Sequence, residues 1–474
     1  MFSEISFPIR GFKTFTYSIP QKLLNKVQVG SRVNVNFGYR RAQGIVVALI
    51  EKPTFKGQIK EIDSLVDDVS IITPELWKLI LWISNYYMTP YGQVAKTLFP
   101  KNLSTRYVPR KNWYVKYKSI SNFDAVTLNK RAPKQHLLLN KITEAGKATK
   151  VSLLKEYASD PLRICKVLHK KNFVELYEET SFPDVTGFSF KPVFKKISFN
   201  SEQKKVLCVI TKSIKDKKYD PFLLHGVTGS GKTELYIEAV RHCLEQNRSA
   251  IILLPEISLT PQIAGRFRAV FGDTIALWHS KLTQQQRSWT WKQICIGEFK
   301  VVIGARSAVF SPLKNLGLIV IDEEQESSFQ QDSSAPRYHA RDVALMRGKI
   351  EKSVVIISSA TPSLESYYNY LNHKIKYLRL KNRFGKAKEP EVHVVDMIKD
   401  KDDSGKKDLV ISGLLQDKIE DRLLKKEQVI LLQNRRGFSS SAQCNQCREI
   451  VMCSECHVSL TFHQYESILL CHYC

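Results

Sequence analysis

The residues best placed to do chemistry lie between Pro221 and Glu234. A short apolar run, Phe222 to Leu224, leads into Gly226-Val227-Thr228-Gly229-Ser230-Gly231-Lys232-Thr233. The pattern G-x-x-x-x-G-K-[ST] is a phosphate-binding loop, whose glycines let several backbone N–H groups point at one anionic centre. Gly226, Thr228, Gly229, Ser230 and Gly231 form that cradle, and Lys232 reaches the β- and γ-phosphates. Thr233 ligates Mg²⁺, and the helix that should follow brings its positive dipole end to the same place. ATP and Mg²⁺ are therefore the expected cofactors.

About ninety residues on, Leu318-Ile319-Val320-Ile321 runs into Asp322-Glu323-Glu324-Gln325. A strand apolar on both faces belongs in the middle of a parallel sheet, and ligands of such sheets bind beyond the carboxyl ends of the strands. Asp322 is the expected Mg²⁺ partner and Glu323 the group that orients and deprotonates the attacking water. Ser359-Ala360-Thr361, at the end of a further strand Val354 to Ser358, supplies hydroxyls (Ser359, Thr361) placed to sense the γ-phosphate. Gln203, about twenty residues before the loop, is a candidate to read the adenine edge, although a lone Gln is more often a surface residue.

The third chemistry-bearing cluster is Cys444-x₂-Cys447-x₅-Cys453-x₂-Cys456-x₁₄-Cys471-x₂-Cys474. Each C-x₂-C knuckle sets two thiolates on one tight turn at tetrahedral spacing, a strong zinc signal. Two knuckles complete one site. Cys453, Cys456, Cys471 and Cys474 are expected to form it, leaving Cys444 and Cys447 over. His457 and His463 are alternative ligands.

These residues need elements to hold them. Apolar–polar alternation over 1–105 (Phe15 to Ile19, Arg32 to Phe37, Gly44 to Ala48) predicts a small β-domain, with an amphipathic helix over Pro74 to Tyr87. Over 106–190, helical segments near 133–145, 150–158 and 161–171 lead into a strand at 172–177. That order suggests a winged-helix module whose third helix carries Arg163, Lys166, His169, Lys170 and Lys171; such modules bind DNA or mediate protein contacts. A linker is expected over 178–196. From 197 to 390, strands alternate with helices, giving a RecA-like doubly wound parallel sheet. A second lobe is expected to start over 391–443, with strands at 392–396 and 429–433, a polar loop at 399–407 and a helix at 411–426. The cysteine module occupies 444–474. The fold class is multidomain α/β.

The net charge of +26, from 72 Lys+Arg against 46 Asp+Glu, fits either solubility or a polyanionic partner such as nucleic acid. There is no apolar h-region at the start and no window near the ~18 apolar residues of a membrane span, so a cytoplasmic protein is expected.

Assembled, these motifs resemble the PriA family of superfamily 2 replication-restart helicases. The resemblance rests on the phosphate loop, Pro255 to Gln262, Arg306-Ser307-Ala308, Asp322-Glu323-Glu324, Arg337 to Asp342, Ser359 to Ser366 and Asn434 to Phe438. It implies a 3′-to-5′ DNA helicase that binds branched DNA to restart stalled forks. Implied partners are forked or single-stranded DNA, primosome proteins and single-stranded-DNA-binding proteins. In the N-terminal domain, Phe15, Gly38 and Lys60 match positions that surround a 3′-terminal nucleotide; Thr16 stands where an Asp is common. Phe329 and Tyr338 match an aromatic loop that couples DNA to ATP, where base stacking is their implied task.

Gln325 replaces a usual His; it can still hydrogen-bond to Ser359 or Thr361, so altered coupling is expected rather than loss of hydrolysis. Ala305 replaces a usual Thr. The chain stops within the cysteine module, before the motifs of the second lobe that would supply an arginine finger. A fragment or prematurely ended copy is expected, one that binds nucleotide and forked DNA but turns over slowly or not at all. The alternative is a fork-binding assembly platform in which ATP only switches conformation.

Overall fold

A computed structural model describes residues 1–53, 57–67, 71–99, 110–118, 128–181, 198–255, 261–383, 390–404, 410–432, 442, 444, 447, 449–463, 468–471 and 474. They fall into two compact units, Met1–Ala387 and Lys388–Cys474.

The first unit opens with five strands, β1 Phe2–Ser6, β2 Phe15–Ser18, β3 Arg32–Phe37, β4 Arg40–Ile50 and β5 Ile62–Leu65. They form an antiparallel sheet in the order β2-β1-β4-β3-β5. The period-two pattern is met on β3, where Val33 and Val35 are fully buried and Asn36 is exposed. Gly38, at φ +61, lets β3 turn into β4 through a two-residue hairpin. Helix α1 (Pro74–Tyr86) is capped by Thr73, whose hydroxyl accepts from Leu76 N, and α2 spans Tyr91–Leu98. Leu76, Leu79, Ile80 and Ile83 on α1 bury into a core shared with residues much later in the chain, Val343 and Ala344 among them.

Next come β6 Arg110–Tyr117, α3 Pro133–Glu144, β7 Thr149–Lys150, a 3₁₀ turn at Val151–Glu156, α4 Pro161–Lys170 and β8 Val174–Ser181. The sheet order is β7-β6-β8, around a core of Val115, Leu138, Ile142, Leu154 and Leu168. The expected second helix is thus a tight 3₁₀ turn. Residues 178–181, expected as linker, extend β8 because they pair with Arg110 to Trp113 of β6.

The largest domain follows: α5 Ser201–Lys215, β9 Asp220–Gly226, α6 Lys232–Glu245, β10 Ser249–Leu253, α7 Pro261–Phe271, β11 Ile275–Trp278, α8 Gln284–Ile296, β12 Val301–Gly304, β13 Leu316–Ile321, α9 Ala340–Glu351, β14 Val354–Ser359, α10 Leu364–Leu371 and β15 Lys376–Leu380. Seven strands lie in the order β11-β12-β10-β13-β14-β9-β15, every neighbouring pair parallel. Successive residues face opposite layers: Ile319 and Ile321 join one core, Leu318 and Val320 the other. Helices therefore cover both faces, and all carboxyl ends open at one edge.

In the second unit, α11 spans Met397–Ser404, α12 Gly413–Leu424, and β16 (Thr461–His463) pairs antiparallel with β17 (Ile468–Leu470). The polar stretch after Met397 is helical rather than a loop because the Asp396 carboxylate accepts from Ile398 N at 2.9 Å and starts the turn. The expected strands at 392–396 and 429–432 are absent among the described residues. No neighbouring strand lies beside them there, and Val394, Ile430 and Leu432 are 95%, 94% and 91% exposed. Asn434 to Phe438 lie outside the described residues. No helix among the described residues is long and apolar enough to cross a membrane.

Candidate nucleotide and DNA sites

The phosphate loop joins the carboxyl end of β9 to α6. Gly229 and Gly231 sit at φ +78 and +82, backbone values that glycine adopts without penalty, so the chain curls around the open end of α6. Lys232 is 9% exposed, and its ammonium donates to Gly226 O at 2.7 Å, inside the loop's own curve. The Ser230 hydroxyl is buried with no hydrogen-bond partner. An unpartnered buried donor, a lysine held in place and glycine-lined backbone together fit a phosphate chain. Thr228 is exposed on the rim, and Thr233 follows Lys232 on the first turn of α6.

Gln203 is 1% exposed and committed to the loop rather than open to a base. Its carboxamide oxygen accepts from Asn200 N at 2.9 Å in a reciprocal cap of α5, and its nitrogen donates to Ser230 O at 2.8 Å. A Cβ on Gly231 would lie 2.5 Å from that nitrogen. Gln203 is thus a brace of the cradle, which replaces the adenine-reading role expected from the sequence.

Asp322 and Glu323 stand at the end of β13, next to the loop. The Tyr236 hydroxyl lies 2.8 Å from Asp322 Oδ1 and 2.5 Å from Ser358 Oγ, donating to the carboxylate and accepting from the serine. Burial pushes the Asp322 carboxyl above its ordinary range, against the opposing pull of Tyr236 and Lys232. A divalent cation would offset that desolvation, so the carboxylate fits a Mg²⁺ partner. Burial likewise drives the Tyr236 phenol far above its usual value, so the hydroxyl remains a donor. Glu323 has φ +49, a strained value for a residue with a Cβ, and its Oε1 lies 3.8 Å from Lys232 Nζ.

A polar chain leaves Glu323. Its Oε2 accepts from Gln325 Nε2 at 3.0 Å, Gln325 Oε1 accepts from Ser359 Oγ at 2.6 Å, and Ser359 Oγ accepts from Thr361 N at 2.8 Å. The crossing from Gln325 to Ser359 is made as the sequence suggested. Behind it, Glu324 is fully buried and accepts from Ser363 N, Ser363 Oγ, Ser366 Oγ and Arg341 Nη1 at 2.7, 3.1, 2.9 and 3.3 Å. His225, next to last in β9, has Nε2 3.1 Å from Ala360 O and Nδ1 2.7 Å from the Tyr377 hydroxyl. These partners assign the tautomer: Nε2 donates to the carbonyl and Nδ1 accepts from the phenol.

Sequence reasoning passed over Tyr236 and His225. Tyr236 lies four residues after Lys232 on α6, hence on its face, a spacing that could have flagged it. His225 carried no local signal. Its partners lie 135 and 152 residues away.

Phe329 and Tyr338 are 1% and 2% exposed, members of the core rather than rings open to a base. Tyr338 packs edge-on against Phe310 at 5.1 Å and under the Arg306 guanidinium at 5.8 Å. Their loop closes on itself, with Gln331 N donating to Tyr338 O, because the apolar rings are better buried than solvated.

The N-terminal trio is brought together. Lys60 Nζ donates to Gly38 O at 2.6 Å, and Phe15 packs edge-on at 4.9 Å against Phe37, the residue before Gly38. Thr16, opposite Glu4 across the sheet, donates its hydroxyl to Glu4 Oε1 at 2.6 Å, so a carboxylate borne by β1 stands beside that position.

Cys453, Cys456, Cys471 and Cys474 place their sulfurs within 4.8 Å of one another, close to the ~3.8 Å edge of a tetrahedron of thiolates around zinc. Cys444 and Cys447 are exposed and stand outside that group.

Residues 4–100 match the PriA 3′DNA-binding domain (3′BD), and residues 200–369 match the DEAD/DEAH box helicase family. The chain is 35% identical to the replication restart protein PriA of Chlamydia pneumoniae, over 98% of this chain and 62% of that protein. It is 31% identical to its namesake in Bacillus subtilis (98% and 65%) and 33% to that of Chlamydia muridarum (100% and 64%). The chain thus spans somewhat less than two thirds of the length of these relatives. Among solved structures, RecG bound to a three-way DNA junction aligns with 41% of this chain and 25% of that one, at 20% identity and a TM-score of 0.32, too slight a likeness to carry an inference.

Proposed function

We propose that the chain is a member of the PriA family of replication restart proteins, to which it is similar over nearly its whole length, and that it is an ATP-dependent 3′-to-5′ DNA helicase acting on branched DNA in the cytoplasm. The observation that carries this reading is the convergence of Lys232, Asp322 and Glu323 at one edge of the parallel sheet, with Ser230 buried and unpartnered beside them.

ATP supplies the phosphoryl group whose transfer to water drives the motor, and Mg²⁺ neutralises the charge that develops on it. Lys232 holds the phosphates, with Thr233 and Asp322 as the metal partners. Glu323 orients and deprotonates water. Gln325, Ser359 and Thr361 carry the state of that carboxylate to the end of β14. The N-terminal domain takes the 3′ end of a strand near Phe15, Gly38 and Lys60. The module built on α3, α4 and the β6–β8 sheet acts as a winged helix whose exposed Arg163, Lys166, Lys170 and Lys171 meet the phosphate backbone. Cys453, Cys456, Cys471 and Cys474 would hold zinc. Primosome and single-stranded-DNA-binding proteins are the proposed protein partners.

The test is nucleotide binding and ATP hydrolysis, each with and without forked DNA, beside Lys232→Ala. Fork binding that survives in Lys232→Ala, with nucleotide binding and any fork-stimulated hydrolysis lost, is expected. Nucleotide binding indifferent to Lys232, or no affinity for forks, would overturn the reading.

A further inference from the structure

The turn carrying Glu323 is anchored on both sides. Asp322 Oδ1 accepts from Glu323 N at 3.2 Å, and Glu324 N donates to Ser358 O at 3.1 Å. The fully buried Glu324 carboxylate then fastens the turn to Arg341, 7% exposed on α9, and to the start of α10. A left-handed residue other than glycine persists only where its surroundings over-determine it, so these anchors set where the Glu323 carboxylate points.

Arg341 is in turn placed from outside the domain. Its N–H donates to His339 Nδ1 at 3.1 Å, the cap of α9. The N–H of His339 donates to the Tyr87 hydroxyl at 3.2 Å, and Tyr87 closes α1 in the N-terminal domain. Burial pushes the Tyr87 phenol up to about 12, so it stays un-ionised at working pH. The same seam includes Thr97 Oγ1 donating to Ala335 O and Phe99 edge-on to Trp291.

Resting on the helicase reading, we propose that Tyr87 is a positioning residue for the nucleotide centre. Seating of a DNA 3′ end in the N-terminal domain is read at the Tyr87–His339 bond and passed through Arg341 and Glu324 to Glu323. Coupling by this route requires that the strained turn take two arrangements whose balance both sites bias. Coupling of this kind is reciprocal: nucleotide must change the affinity for the DNA end by the same factor as the DNA end changes the affinity for nucleotide.

The test is a four-state binding cycle on the full chain, with Mg²⁺–AMP-PNP and a fork bearing a free 3′-hydroxyl. In the unaltered chain the two ligands should change each other's affinity about fivefold or more, within the usual range of such couplings. Tyr87→Phe, which keeps the ring and removes only the hydroxyl, should bring the factor to about one while each separate affinity stays within about twofold. Arg341→Lys should do the same, and Tyr86→Phe, one residue away, should leave the coupling intact. Tyr87→Phe with the full coupling, or an unaltered chain that binds both ligands independently, would overturn the inference. Failure of the unaltered chain to bind either ligand would strike the helicase reading, and the inference with it.

Discussion

Ser359 donates its hydroxyl to the Gln325 carboxamide across 2.6 Å, tying the end of β14 to the turn after β13. The other end of the same carboxamide holds Glu323, so one side chain bridges the proposed base and the proposed hydroxyl sensor. Gln325→Ala removes both bonds without touching Lys232. Misplacing a catalytic group by about an ångström costs on the order of 100-fold. We expect any fork-stimulated turnover to fall about 10- to 100-fold in single-turnover assays, with nucleotide affinity changed less than about twofold.

Gln203→Ala should act on binding instead. It leaves the buried Ser230 carbonyl and the Asn200 N–H without their partners, a cost of about 1–3 kcal/mol. Nucleotide affinity is expected to fall about tenfold and the melting temperature by a few degrees. Unchanged affinity in a stable variant would show that the loop holds its shape without the brace.

His225 gives a pH prediction. Burial first, then Arg379 and Lys232, hold its pKa below the ordinary value, against the bond to Ala360. The unfolded chain therefore binds this proton more readily than the folded one. The stabilising contribution is present above the unfolded-state value of about 6.5 and is lost as pH falls below it, down through the lower folded-state value. Melting temperature measured from pH 8 to 5.5 should drop less steeply in His225→Gln than in the unaltered chain. Parallel profiles would rule the histidine out.

Arg341→Ala breaks a pair in which Glu324 is fully buried. Removing one partner of such a pair costs about 3–5 kcal/mol; the three serine donors left to Glu324 put the expected loss near the lower figure. Urea unfolding should show it as a lowered midpoint with an unchanged slope.

Metal analysis should return one zinc per chain, lost in Cys471→Ser and retained in Cys447→Ser. Two zincs per chain would mean that Cys444 and Cys447 are also ligands.

Much was determined by the sequence itself. Chemistry held within one short segment is legible there: the phosphate loop at the β9–α6 junction, the acids at the end of β13, and knuckles in which two thiols share a turn. So are five of the seven parallel strands, β9, β10, β12, β13 and β14, whose central residues are apolar because they are buried on both faces; the edge strands β11 and β15 are not. Only the tertiary structure decided what distant side chains do to one another. Gln203 braces a loop 27 residues away, His225 meets Ala360 and Tyr377, and Tyr87 reaches His339 across 252 residues. It also decided that Phe329 and Tyr338 are core, because an aromatic residue in a loop reads the same in sequence whether its ring finds a base or a hydrophobic neighbour. Local pattern follows from backbone periodicity. A hydrogen bond between side chains far apart in the chain exists only once packing has brought them within about 3 Å of each other.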